Sequence, residues 1–158
     1  MAERVADTLF QELAFVCGES RRAFGRHVGM SEARRQLLTV LANEGETSHS
    51  ELQGILGVDG AAITRLVKGL EAAGTVRRRL NPDDNRYMLA SLTSAGEVVV
   101  AELRDAHRAF QARLLRGIGR DDQAHVLDVL QQLRTNLAAV REDTAPGKTD
   151  DTSRGRHR

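Results

Sequence analysis

The chain has 158 residues, 41% of them hydrophobic and 28% charged, which is enough apolar content for one compact domain or two small interleaved subdomains. Aromatic residues make up only 3%, with no Trp and a single Tyr87, so a core must be built from Leu, Val and Ala, which favours packed helices and argues against an all-β sandwich. Lys plus Arg number 23 against 22 Asp plus Glu, a formal charge of +1, so any polyanionic partner must be sought in how the charge is distributed.

Residues 1 to 28 place Val5, Leu9, Leu13 and Val16 at helical spacing, followed by Arg21, Arg22 and Arg26, and read as an amphipathic helix. The acids Glu3, Asp7 and Glu12 argue against a signal peptide, and no run in the chain approaches the ~18 apolar residues that a membrane span needs. The lone Cys17 excludes an internal disulfide and a Cys-rich zinc module, and it is expected to be a buried, inert thiol. A cytoplasmic protein without membrane contact is the expectation.

Ser31 is placed to cap a second helix with a buried face of Leu37, Leu38 and Leu41, broken by Asn43 to Gly45. Ser48 and Glu51 form a capping box that opens a short helix at His49. That helix stops at Gly57, and Asp59 caps the next one, so two helices meet across Gly57-Val58-Asp59 as a helix-turn-helix. In the second of these, Ile63, Leu66, Val67 and Leu70 define one buried stripe, and Gly74 ends it. The opposite face presents Ala61, Thr64, Arg65 and Lys68, small, polar or basic and without an acid, as a groove-reading face should be.

Two extended runs, Thr75 to Leu80 and Asn85 to Leu92, flank a Pro82-Asp83 turn and predict a β-hairpin. Ser94 and Glu97 are read as a further capping box for a long helix that runs to about Arg116 and is closed by Gly117 and Gly119. From Asp121 or Asp122 a last helix carries Val126, Leu130, Leu133, Leu137 and Val140 as a heptad-like seam. Residues 143–158 are expected to be a disordered tail.

The fold class is therefore mainly α with a small β-hairpin wing, a winged helix-turn-helix plus a helical dimerisation region. The expected domains are residues 1–30 and 97–142 for dimerisation and 31–96 for DNA binding. Within residues 61 to 86, six basic residues face three acids, so this stretch is far more positive than the chain average. Ser48, Ala61, Thr64, Arg65, Lys68, Arg77, Arg79, Asp84, Asn85 and Arg86 are the candidate contacts to double-stranded DNA. One or two of Arg77, Arg78 and Arg79 are expected to meet phosphate, since strand alternation turns at least one away.

The run Glu71-Ala72-Ala73-Gly74-Thr75-Val76, then Pro82-Asp83-Asp84-Asn85-Arg86, then Ser91-Leu92-Thr93-Ser94-Ala95-Gly96, resembles the wing signature of the MarR family of bacterial transcription factors. Leu56-Gly57-Val58 and Ile63-Thr64-Arg65-Leu66-Val67 fit as well, and the resemblance spans roughly residues 5 to 142. It implies a homodimer whose first, fifth and sixth helices interlock through Leu9, Leu13 and the 126–140 seam, with two winged modules on a pseudo-palindromic operator. It further implies that Asp84 braces the wing through a nearby Arg and that Arg86 enters the minor groove.

Two positions depart from the family pattern. Asn85 stands where Arg is common, and Gln53 where a small Ala is usual. The resemblance also suggests a small, often phenolic or anionic effector, for which Phe24, His27 and Phe110 are the candidate pocket residues.

Three other readings stand beside a ligand-released repressor. A zinc-responsive regulator of the same fold would draw on His27, His49, His107 and His125, but Gln111 occupies the i+4 position after His107 and no second Cys exists. An oxidant-responsive regulator would need the Leu-Cys-Phe motif of the redox-sensing branch, and Leu13-Ala14-Phe15 lacks its cysteine. A helical protein-interaction module without DNA binding would use the 126–140 seam alone. No metal site and no cofactor beyond zinc is suggested, and enzymatic motifs such as a Gly-rich phosphate loop or Gly-x-Ser-x-Gly are absent.

Overall fold

A computed structural model describes residues 2–143, so the expected tail, Asp143 apart, lies outside the described residues. The described residues divide into two compact units, one ending at Leu114 and the other beginning at Leu115. The first holds α1 (Ala2–Val28), α2 (Glu32–Glu44), β1 (Thr47–Ser48), α3 (His49–Leu56), α4 (Gly60–Ala72), β2 (Val76–Leu80), β3 (Met88–Leu92) and α5 (Ser94–Leu114), and the second holds α6 (Arg120–Asp143). Among the described residues this is the mainly helical, winged helix-turn-helix architecture that the periodicities predict.

The helix ends show why the chain breaks where it does. At α3 the capping box forms in full: the Glu51 backbone N–H donates to Ser48 Oγ at 3.2 Å, and the Ser48 N–H donates to Glu51 Oε2 at 2.9 Å. Gly57 then turns the chain at φ 64°, a left-handed conformation that costs glycine little. Asp59 caps α4, its Oδ1 accepting from Ala62 N–H at 2.7 Å.

Two expected caps differ. Ser31 has the extended backbone of an N-cap but makes no side-chain cap hydrogen bond. At α5 the capping side chain is Thr93 rather than Ser94, since Gly96 N–H donates to Thr93 Oγ1 at 3.1 Å. Thr93 is held for this role because its own hydroxyl donates to Gly74 O at 2.6 Å.

The sheet is antiparallel in the order β1-β3-β2. The hairpin register pairs Val76 with Leu92, Arg78 with Ala90 and Leu80 with Met88, which leaves Arg77 and Arg79 on the other face opposite Ser91 and Leu89. The short β1, which hydropathy patterning did not reveal, adds Thr47 opposite Ala90.

The core lies beneath this sheet. Leu37, Leu38, Leu52, Ile63 and Val67 are fully buried, with Leu41, Leu70, Val76, Ala90 and Val100 around them. Each such aliphatic side chain contributes about 1.5–3 kcal/mol by leaving water. Gly96 lets α5 reach this core, because a Cβ there would stand 2.0 Å from the Thr75 carbonyl oxygen.

Gln53, the departure in α3, is half-buried beside the start of α4. Its Nε2 lies where a Cβ on Gly60 would come within 3.0 Å, so the larger side chain is matched by a residue without one. No described helix is long and apolar enough to cross a membrane.

Candidate nucleic-acid interface

Helix α4 turns Ile63, Val67 and Leu70 inward, so helical geometry leaves Ala61, Thr64, Arg65 and Lys68 on the opposite face. Ala61, Arg65 and Lys68 are exposed. Thr64 is half-buried and its hydroxyl donates to Gly60 O at 2.9 Å, which fixes the rotamer and leaves its methyl and oxygen lone pairs for outside contacts. The outer face of α4 thus presents small groups flanked by two exposed cations.

The wing tip is built by its own polar groups. Asn81 Oδ1 accepts from Asp83 N–H at 2.9 Å, and Asn81 N–H donates to Tyr87 O at 2.8 Å, closing the turn. Asp84 Oδ1 accepts from both the backbone N–H and Nε of Arg86 at 3.0 Å, and Oδ2 from Nη2 at 2.9 Å. The Arg86 guanidinium beside it holds the Asp84 carboxyl below its ordinary range, and the Arg86 pKa is raised in return. The brace expected for Asp84 is therefore Arg86 itself. Its side chain remains 85% exposed, a fixed cation projecting into solvent.

The three consecutive arginines of β2 do not form one comb. Arg78 pairs with Glu71 of α4 and Arg79 with Glu46, while Arg77 Nε donates to Ser91 Oγ at 2.9 Å. Hydrogen bonds from these arginines hold Glu71 and Glu46 below the usual carboxylate range. Arg78 thus ties the wing strand to α4, a role that its place in a basic run did not reveal. Glu71 and Glu46 were missed as partners because both lie beyond the reach of local pattern, seven and 33 residues away. Ser48 and Asn85 complete the expected set, the first committed to its capping box and the second exposed at the wing.

The expected pocket residues separate. Phe24 lines a cleft of about 620 Å³ with Arg35, Ile55, Leu103, Arg104 and His107. His27 and Phe110 do not line it, but they join Phe24 in an aromatic cluster, with Phe110 at 5.4 Å from the Phe24 ring and His27 at 6.3 Å from Phe110. His107 meets Phe24 edge-on at 5.0 Å, and the Arg35 guanidinium lies over the same ring at 5.2 Å. These extra residues come from α2 (Arg35), α3 (Ile55) and α5 (Leu103, Arg104 and His107), so they are brought together only once those helices are packed.

Cys17 is exposed rather than buried. Among the described residues no group of three or more His, Cys, Asp or Glu could hold a metal ion. The expected dimerisation residues Leu9, Val126, Leu137 and Val140 are 43%, 52%, 58% and 57% exposed, and Leu13, Leu130 and Leu133 are half-buried.

Residues 30–87 match the MarR family model, a stretch that runs from α2 through β2 to the wing tip and stops just before β3. The uncharacterized HTH-type transcriptional regulator YdgJ of Bacillus subtilis is 36% identical over 109 residues, 69% of this chain, which spans 66% of that relative's length. The apo form of MarR from Escherichia coli superposes with a TM-score of 0.71 at 22% identity over 79% of this chain and 95% of that one, and a cysteine-to-serine mutant complexed with operator DNA superposes at 0.66, 22% identical over 80% and 93%. BpsR of Bordetella bronchiseptica, whose DNA binding is regulated by 6-hydroxynicotinic acid, reaches 0.63 at 17% identity over 78% and 91%. At such identities the superpositions show a shared fold.

Proposed function

Because this chain belongs to the MarR family, we propose that it works inside the cell as a homodimeric transcriptional repressor that binds a pseudo-palindromic operator and lets go when a small ligand enters. The observation that carries this reading is the joint presentation of two elements. An acid-free α4 face of Ala61, Thr64, Arg65 and Lys68 stands beside a wing whose tip cation, Arg86, is held out by Asp84.

A helix of this kind enters the major groove, where Thr64 meets a thymine methyl and Arg65 forks onto guanine. Arg86 enters the neighbouring minor groove, whose negative potential favours arginine where it narrows. Lys68 and one or two of the β2 arginines neutralise phosphates, so affinity falls steeply with salt. The exposed apolar positions on α1 and α6 support self-association, because water-facing seams of this length are covered in stable proteins. Two recognition helices then sit about 34 Å apart, one turn of DNA.

The cleft at Phe24 is of ligand size and lies between α1, α2, α3 and α5. Arg35 and Arg104 in its wall suit an anionic aromatic effector, and a ligand there favours whichever spacing of the two modules it fits best. Selection from a random duplex pool at two salt concentrations tests the reading. Enrichment of a palindrome with half-sites one turn apart supports it. Arg65→Ala is expected to relax base preference by about 1–3 kcal/mol at one position, and Arg86→Ala to weaken binding about tenfold with a smaller salt slope. Unchanged operator binding in both variants overturns it.

A further inference from the structure

Positive charge is concentrated in a second place that the DNA-facing surface does not use. Between residues 21 and 35 stand five arginines and a single acid, Glu32. Four of them, Arg21, Arg22, Arg26 and Arg35, line a second cleft of about 420 Å³ at the elbow between α1 and α2, with Glu32 its one carboxylate; it shares Arg21, Glu32 and Arg35 with the wall of the Phe24 cleft, whereas Arg22 and Arg26 belong to it and not to the other.

The elbow is shaped to hold these cations close. Gly25 and Gly29 stand among these side chains and add none of their own to its wall. A Cβ on Gly25 would lie 2.9 Å from Arg35 Nη1, so glycine is what admits the Arg35 guanidinium. Arg35 is fixed there by donating to the Met30 and Arg21 carbonyl oxygens and by resting over the Phe24 ring. Arg22 is steadied by Glu19 at 2.6 Å, and Arg21 is only loosely paired with Glu32 at 3.6 Å. Arg26 makes no side-chain hydrogen bond or ion pair among the described residues and is exposed.

Of the four guanidinium groups, Arg26 and Arg35 have no carboxylate partner among the described residues, so the concavity keeps an excess of positive charge that an anion would offset, and planar forks suit the several oxygens of a phosphoryl group better than the two of a carboxylate. The leading N–H groups of α2, left uncapped by Ser31, stand at the same rim and add to the positive field. We propose that the arginine cleft at the α1–α2 elbow binds a phosphate or diphosphate group, carried by a small phosphorylated molecule. The same chemistry is present on the DNA backbone, which the test separates.

The full chain is titrated calorimetrically with sodium pyrophosphate against sodium chloride at matched ionic strength, for the wild type, Arg26→Ala, Arg26→Lys and a control, Arg113→Ala, at an exposed arginine of α5 outside the cleft. Saturable binding is expected that weakens about tenfold in Arg26→Ala, less in Arg26→Lys, and not in Arg113→Ala. A second arm measures duplex affinity against salt. An unchanged salt slope in Arg26→Ala, with no competition between pyrophosphate and duplex, assigns the site to a free phosphorylated ligand. A slope reduced by about one, with competition, assigns it to the DNA backbone and overturns the small-molecule source. Pyrophosphate binding that is absent, or equal in wild type and Arg26→Ala, overturns the site altogether.

Discussion

The winged module and the long helix α6 handle their apolar residues in opposite ways. In the module, Leu37, Leu38, Leu52, Ile63 and Val67 are sealed from water within a single chain. In α6, Val126, Leu127 and Leu137 are each more than half exposed. Similar residue types at similar spacing thus give a finished core in one place and a bare seam in the other. A module that completes its own core can present a rigid face to DNA, whereas a helix that keeps apolar surface in water is stable chiefly by joining a partner.

This contrast can be broken in graded steps. The largest effect is expected from Leu52→Ala, which opens a cavity in a fully buried site and should cost about 2–5 kcal/mol in urea unfolding, whatever the protein concentration. Leu137→Asp should leave the fold of the module intact while weakening self-association at least about thirtyfold, read by sedimentation equilibrium. An unchanged oligomeric state there would remove the seam from the interface.

Asp59→Ala strips the cap from Ala62 N–H and should destabilise by about 1 kcal/mol, and duplex affinity should fall with it because α4 is the helix so capped. The smallest effect concerns His49, whose Nε2 is buried without a hydrogen-bond partner among the described residues. Burial, and then the Arg78 cation, lower its pKa from the ordinary 6.5. The folded state therefore prefers the neutral ring, so stability is level above pH 6.5 and declines as pH falls from there toward the lowered folded value. His49→Gln should flatten that slope, measured by chemical denaturation at pH 5 to 7. The paired carboxylates Glu46, Glu71 and Asp84 add stability that is lost only in stronger acid, as pH falls through their depressed values.

Much of this molecule is legible along the chain because the governing forces are local. The i, i+3, i+4, i+7 stripe of α4, the Ser48–Glu51 box and the Gly57 turn each act within a few residues, and each was found where the pattern put it. The same holds for the wing turn, whose Asp84–Arg86 clasp joins residues two apart. Local pattern points to Ser94 with Glu97 at the start of α5, yet the cap is Thr93, whose hydroxyl is held by the bond to Gly74 O, a residue 19 positions away.

What pattern could not show is set by groups brought together through space. The strand β1 exists only because Thr47 finds Ala90, and the wing arginines take their partners according to which face of the sheet they occupy. The Phe24 cleft depends on how α2, α3 and α5 stand against α1. Side-chain type and period settle which face of a helix seeks burial. Whether that face finds a neighbour, and which charges then meet, depends on contacts between residues distant in sequence, so it belongs to the tertiary structure.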